Sequence, residues 1–483
     1  MHIIVRLFSE ITIKSAPVRK RFIKQLRNNL RDLLRPIDAG IKVTREWEKI
    51  DVMADSDDPQ LIQKISQVLA CTPGIAHFSL VHQYPLGDQH DVFEKTMLHW
   101  KDALAGKTFC VRVKRTGSHE FTSTDLERYV GGGLNQHTEA AGVSLKNADI
   151  TVQLEVKDNQ LFVVEARRQG MGGFPIGTQD SVLSLISGGF DSTVSSYLTL
   201  KRGLRTHYCF FNLGGREHEI GVKEVSFYLW NKFGSSHKVR FVTVPFEEVV
   251  AEILKNVKNS HMGVILKRMM LRAAEQVADE MEIQALVTGE SVAQVSSQTL
   301  TNLSVIDKVT DTLVLRPLIT MDKNDIIDIS RKIGTEEFAA AMPEYCGVIS
   351  KKPTTAAKME DVLTQEENFD FSVLERAVSE RNVQTIDEIM ADTERESAEV
   401  EILAQLPAAA KVIDIRHPDE VEQSPLKLPE QDVICIPFYS LSTKAASLKE
   451  GGPYYLYCDK GIMSRLHASH LADDGYAVGV YRP

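Results

Sequence analysis

Hydrophobic and polar positions alternate from residue 2 to 8, recur with helical spacing along a basic stretch from 18 to 34, and alternate again at 42–44. That order predicts strand, helix, strand in a small α+β unit. Residues 68–78 and 109–114 continue the mixed pattern, and a helix starting near Thr124 is expected to be interrupted at Gly131-Gly132-Gly133. Apolar alternation at 151–156 and 161–165 predicts a hairpin turning at Asp158-Asn159. The breaker-rich stretch 170–177 marks the first major boundary.

Beyond it, short apolar runs at 182–186, 207–211, 240–244 and 285–288 alternate with helical patterns. This is how a parallel sheet with helices on both faces reads in sequence. Residues 358–406 turn helical, acidic and free of glycine, as an interdomain linker would be, and a last α/β unit follows with strands near 412–415, 433–436, 454–457 and 477–481. The expected fold class is therefore multidomain, mixing α+β and α/β.

Composition narrows the class. The chain has 483 residues, 43% hydrophobic and 25% charged, with no apolar run long enough to span a bilayer and no signal-peptide pattern at its start, so no membrane association and a cytoplasmic location are expected. Six widely spaced cysteines form no Cys-x-x-Cys pair and the histidines form no His-x-x-x-His or His–Cys cluster, so no metal site is expected and cysteine chemistry should be catalytic or redox. The net charge of -10 hides an uneven distribution. Residues 1–50 carry 12 Lys/Arg against 5 Asp/Glu, a local +7 that leaves -17 on the rest. Such a basic end can meet a phosphate backbone.

Two segments carry chemistry. The run 182–186 leads straight into Ser187-Gly188-Gly189-Phe190-Asp191-Ser192, and a helix pattern begins at Thr193. Two glycines let backbone N–H groups approach phosphate, two serines offer hydroxyls, and the helix start adds positive potential. The loop lacks the Gly-Lys-Ser/Thr of a Walker A motif and the spacing of a dinucleotide fingerprint. The second segment is Tyr457-Cys458-Asp459-Lys460-Gly461-Ile462-Met463-Ser464-Arg465, a cysteine at a strand end followed by a short loop and a helix. A cradle of N–H groups there favours a thiolate or persulfide anion. Cys346, in Tyr345-Cys346-Gly347, is flanked by breakers and expected on a loop, while Cys71, Cys110, Cys209 and Cys435 fall in apolar patterns and read as core.

The Ser-Gly-Gly-x-Asp-Ser loop resembles that of the ATP pyrophosphatase, or PP-loop, family. The resemblance implies attack at the α-phosphate of ATP, with Asp191 helping to hold Mg²⁺, Leu185 and Ile186 reading adenine, Lys267 neutralising phosphate, and Gly289 and Gln298 lying near the nucleotide. The Cys458 loop, with Asp414-Ile415-Arg416 upstream, resembles rhodanese domains. The segments 121–134 and 161–168 are similar to THUMP domains, in which Lys114, Arg115, Arg128, Arg167 and Arg168 would supply phosphate-binding charge.

In this order the three units look like the tRNA 4-thiouridine synthetases, the ThiI-type tRNA sulfurtransferases, in their long form. The resemblance implies an N-terminal ferredoxin-like domain at 1–62, THUMP at 63–167, a linker at 168–178, the PP-loop domain at 179–357, a helical linker at 358–405 and a rhodanese-like domain at 406–483. It further implies adenylation of uridine 8 in tRNA and sulfur passed as persulfide from a cysteine desulfurase to Cys458. A Cys346–Cys458 disulfide reopened by an external reductant would close the cycle, and a thiamine-pathway sulfur carrier protein would be a second acceptor. Direct attack by the persulfide and prior release of hydrosulfide are both compatible with these residues. So is a homodimer.

Overall fold

The computed structural model describes residues 1–483 except 46–48, 166, 214–215, 343–351, 390–399, 408–409, 417, 429–430, 438–440, 442–443, 445–452, 459–463, 465–466, 469–470 and 473–474. The chain forms two compact units, Met1–Thr178 with Lys201–Gly203, and Gln179–Leu200 with Leu204–Pro483.

The first unit is built on one nine-stranded sheet, made of β1 (His2–Leu7), β2 (Lys42–Arg45), β3 (Lys49–Met53), β4 (Ile75–Pro85), β5 (Thr108–Thr116), β6 (Gly142–Val143), β7 (Ile150–Lys157), β8 (Gln160–Val164) and β9 (Arg168–Gly172). The order is β2-β3-β1-β4-β8-β7-β5-β6, with β9 also on β4. The eleven-residue β4 joins two half-sheets. Its first half pairs with β1, as Val5 with Phe78, and its second half with β8, as Val81 with Val164.

Helices cover one face of this sheet. After the short α1 (Ser9–Thr12), α2 (Ala16–Leu34) buries Phe22, Ile23, Leu26, Leu30 and Leu34 against β1 and β3 and leaves most of its basic residues towards solvent. The next helix, α3 (Pro59–Ala70), is capped by the Asp58 carboxylate on the Gln60 N–H and buries Ile65 and Leu69 in the same core. The N-terminal unit therefore does not end at residue 62, because α3 and the first half of β4 complete its core. The second half-sheet is covered by α4 (Gln89–Trp100) and α5 (Ser123–His137).

The glycine triplet does not interrupt α5. A methyl group on Gly133 would approach the Phe93 ring to 2.5 Å, so glycine there lets α4 and α5 pack closely within an intact helix. The turn between β7 and β8 carries Asp158 at φ 50°, in the left-handed region. Part of the expected 168–178 linker is strand β9.

The second unit contains two sheets. The first uses β10 (Ser181–Leu185), β11 (Arg205–Asn212), β12 (Arg240–Pro245), β13 (Ala285–Val287), β14 (Leu313–Leu315) and β15 (Asn382–Thr385) in the order β14-β13-β10-β11-β12-β15, parallel except at β15. Around it lie α6 (Phe190–Lys201), α7 (Arg216–Leu229), α8 (Glu247–Asn256), α9 (Met262–Glu280), α10 (Leu300–Asp307), α11 (Lys323–Ile333) and α12 (Glu336–Ala341).

The stretch expected as a linker is largely part of this domain. Its α13 (Met359–Glu367) and α14 (Ser372–Ser379), with Phe369 between them, bury Val362, Phe369, Val373 and Leu374 with α8 and α9, and β15 closes the sheet edge. A buried bidentate pair, Arg268 on α9 with Glu366 on α13, fixes the attachment. High acidity concealed an apolar stripe.

The other sheet is all parallel, with β16 (Ile402–Leu403), β17 (Lys411–Asp414), β18 (Asp432–Cys435), β19 (Tyr454–Tyr457) and β20 (Val478–Tyr481) in the order β16-β20-β19-β17-β18. It begins at residue 402 rather than 406.

Candidate functional site

The loop after β10 is shaped by its own side chains. Ser187 N–H donates to Ser192 Oγ at 3.1 Å, Ser192 Oγ donates to the Gly189 carbonyl at 3.2 Å, and Thr193 Oγ1 donates to the same carbonyl at 2.6 Å. Gly188 has φ +82°, a conformation that L side chains rarely adopt. A methyl group on Gly189 would meet nothing closer than 3.9 Å, so space lies open above it. His218, buried on α7 and held neutral by burial, donates from Nε2 to the Ser187 carbonyl at 3.1 Å.

Gly289 follows β13 and makes a close backbone approach. A methyl group there would come within 2.6 Å of the Asp191 carbonyl carbon and 2.7 Å of Ser192 N. Asp191 is held by two groups that the sequence did not single out, with Gln294 Nε2 donating to Oδ2 and Lys323 Nζ to Oδ1, each at 2.7 Å. Lys323 opens α11, 132 positions along the chain, so no local pattern links it to the loop.

Lys267 on α9 does not stand as an isolated phosphate partner. Its Nζ lies 3.0 Å from Glu290 Oε1, and Arg316 Nε donates to Glu290 Oε2 at 2.8 Å. Burial raises the Glu290 carboxyl, but the charges and hydrogen bonds of Lys267 and Arg316 outweigh it and bring it down to about 2. Gln298 is buried with Oε1 lacking a hydrogen-bond partner. A buried amide oxygen without a donor costs about 1–3 kcal/mol unless a ligand supplies one. Leu185 ends β10, and Ile186 N–H donates to the Cys209 carbonyl at 2.9 Å.

The residues therefore fit a nucleotide: an open glycine, an unpartnered amide acceptor and two nearby lysines converge on one sheet edge. Asp191 is the loop's own carboxylate. Mg²⁺ carried on a triphosphate needs one or two carboxylates besides phosphate oxygens, which this site offers.

Cys458 follows β19. Its sulfur accepts from Ser464 N–H at 3.3 Å and lies 3.4 Å from Ser464 Oγ. The upstream Asp-x-Arg element is structural: Arg416 grips Asp414 bidentately at 2.9 and 2.6 Å, with both residues buried, donates to the Ser424 carbonyl at 2.9 Å, and lies 5.0 Å over the ring of Tyr457, next to Cys458. Cys346 lies outside the described residues. Cys110 and Cys209 are buried, and burial pushes the Cys209 thiol up to about 12. Cys71 is half-buried, and Cys435 is exposed at the end of β18 rather than in a core.

The five expected RNA-contacting residues do not share one surface. Lys114 points to the uncovered face of the nine-stranded sheet, where Arg6, Lys49, Lys157, Phe162 and His2 line a cavity of about 360 Å³. Alternation puts Arg115 on the opposite, helix-covered face, against His119 at 3.2 Å, and Arg128 lies on α5. Arg167 reaches His77 at 2.7 Å, and Arg168 starts β9. His82, His99 and Glu165 also meet within 4.8 Å, drawn from separate elements. The two imidazoles stack at 3.6 Å with planes 12° apart, so their in-plane lone pairs run side by side rather than converging on one ion.

A ferredoxin-like and THUMP unit, joined in sequence to a parallel α/β domain with a Ser-Gly-Gly-x-Asp-Ser loop, defines a nucleotide-dependent RNA-modifying enzyme. Family models match in the same order: the ThiI ferredoxin-like domain at 2–79, the THUMP domain at 90–164, and "Thiamine biosynthesis protein (ThiI)" at 177–371. The tRNA sulfurtransferase of Saccharophagus degradans is 60% identical and that of Salmonella typhi 55% identical, each over the full length of both chains. A crystal structure of a 4-thiouridine synthetase–RNA complex with bound ATP matches 80% of this chain and 99% of its own, at 27% identity and TM-score 0.69. The chain belongs to the ThiI family of tRNA sulfurtransferases.

Proposed function

We propose that the enzyme makes 4-thiouridine at position 8 of tRNA. ATP binds over the 187–192 loop, with its phosphates above Gly189 and beside Lys323 and Lys267. Mg²⁺, when bound, neutralises phosphate charge as pyrophosphate departs. Uracil O4 attacks the α-phosphate and pyrophosphate leaves, so a poor leaving group becomes AMP.

Sulfur comes from Cys458, loaded as a persulfide by a cysteine desulfurase. The terminal sulfur bonds to C4 and AMP leaves; Cys346 then attacks Cys458 Sγ, releasing thiouridine and forming a disulfide. Alternatively, Cys346 attacks the persulfide first and the freed hydrosulfide bonds to C4. In either route an external dithiol reduces the disulfide. The Ser464 N–H aimed at Cys458 Sγ favours an anionic sulfur there. The same persulfide would serve a thiamine-pathway sulfur carrier protein, a reading supported by the family description at 177–371. RNA would dock on the first unit, with Lys114, Arg6 and Lys157 meeting phosphates.

The observation that carries the reading is the open space above Gly189 in a loop whose Asp191 is backed closely by Gly289 and held by Lys323. Mass spectrometry of tRNA incubated with the enzyme, ATP, cysteine and desulfurase tests it. The expected result is an oxygen-to-sulfur exchange at uridine 8, lost in Asp191→Ala and Cys458→Ala; unchanged tRNA would refute it.

A further inference from the structure

Within the second unit, the C-terminal sheet and the nucleotide domain contribute to one apolar core, together with Leu441, Ala468 and Leu471 of the C-terminal domain. Ile413, Leu456 and Val480 from three neighbouring strands share a core with Val225 of α7 and Phe338 of α12. Cys458 packs against the same cluster. On the other side, α12 runs on to Met342, whose sulfur would lie 3.0 Å from a methyl group on Gly188. The seam thus sits between the sulfur-bearing cysteine and the nucleotide loop.

Among the described residues, one carboxylate is buried in this apolar seam. Glu224, beside Val225, faces His467 of the C-terminal domain, with Oε1 3.2 Å from Nε2. Other described charged groups near the seam have partners of their own: Lys223 with Glu219, Lys232 on the Tyr228 hydroxyl and Ile333 carbonyl, Arg331 with Glu336, and Arg416 with Asp414.

Proton counting follows from this geometry. Apart, Glu224 ionises above about pH 4.5 and His467 is neutral above about 6.5, so the two surfaces hold no proton between them at higher pH. Together, one proton held by either group, on the carboxyl or on the imidazole 3.2 Å away, avoids burying a bare carboxylate beside a neutral ring. Burial pushes the Glu224 carboxyl up to about 8. Closing the seam therefore takes up part of a proton between about pH 6.5 and 8, and the closed form weakens as pH rises through that window.

We infer that the α7–α12 face is the seat that holds the Cys458-bearing domain for sulfur delivery, and that the Glu224–His467 pair loosens this seat as pH rises. Glu224 is a positioning residue; it touches neither nucleotide nor sulfur. The inference rests on the delivery role proposed for Cys458, so its test uses one readout that is independent of sulfur.

In the full-length protein, dyes introduced through unnatural amino acids at the exposed positions Lys255 and Asp432 report seating by energy transfer. The urea midpoint for loss of transfer is measured from pH 6 to 9. The seat is expected to weaken by roughly 8-fold between pH 6.5 and 8 in the unsubstituted chain and to show little pH dependence above pH 6.5 in Glu224→Gln, whereas His467→Gln should keep the dependence and extend it below pH 6.5, because the buried carboxyl must still take up a proton. A pH profile unchanged in Glu224→Gln, or one not extended to lower pH in His467→Gln, overturns the pair's role. In parallel, single-turnover sulfur transfer from persulfidated Cys458 should fall with the seat while tRNA-dependent pyrophosphate release holds steady. Transfer that ignores seating overturns the delivery seat. Full thiolation by Cys458→Ala would instead remove the delivery reading and leave the energy-transfer result standing.

Discussion

Lys323 Nζ sits 2.7 Å from Asp191 Oδ1, joining the start of α11 to the 187–192 loop. On the proposed mechanism, an ammonium beside this carboxylate would stand where charge develops as pyrophosphate leaves. Lys323→Met should reduce tRNA-dependent pyrophosphate release by about 10²–10³-fold while leaving persulfide loading of Cys458 intact. Radiolabelled pyrophosphate release measures the first, and alkylation with mass detection the second.

The loop glycines should separate folding from binding. Gly289→Ala forces a methyl group against the backbone of Asp191 and Ser192 and should lower stability by about 1–3 kcal/mol as well as weakening ATP binding. Gly189→Ala meets no atom nearer than 3.9 Å and should melt normally, yet lose ATP binding because its methyl group takes the phosphate's space. Thermal melts with and without ATP distinguish the two.

Glu290 sets an acid limit. Its folded carboxyl is depressed to about 2, so its contribution is fully present above the ordinary carboxylate value and is lost as pH falls from about 4.5 towards 2. Glu290→Gln should cost roughly 3 kcal/mol at neutral pH, by leaving Lys267 and Arg316 without their buried anion, and should flatten the acid side of a stability–pH profile. Urea titrations at stepped pH supply the comparison.

RNA binding should follow the open sheet face. Lys114→Glu and Lys157→Glu should weaken tRNA binding and make its salt dependence shallower by about one counterion for each phosphate left without a cation, whereas Arg115→Glu, on the helix-covered face, should change it little. Filter binding across a salt series reads both.

Legibility in the sequence tracked locality. The loop 187–192 could be read because strand, glycines and helix start are contiguous, and the Asp414–Arg416 pair because its members lie two residues apart. Lys323, Gln294 and Gln298's unpartnered oxygen depend on chain crossings that no window contains. Gly131-Gly132-Gly133 misled because glycine weakens an isolated helix, whereas here Gly133 yields its volume to Phe93. Residues 358–389 misled because their acidity drew attention from Val362, Phe369 and Leu374, which α9 and α8 cover. Lys114 and Arg115 are neighbours in sequence, and strand alternation sends them to opposite sides.

Strand β4 spends half its length in each half-sheet of the first unit. Cutting the chain after residue 79 would leave the remaining N-terminal piece without the second half of its longest strand and without β9, stripping partners from the Ile75–Ser79 edge. Bare edges of this kind recruit strands from other molecules. The ferredoxin-like segment should therefore be an aggregating fragment on its own, and the two half-sheets should melt in a single transition.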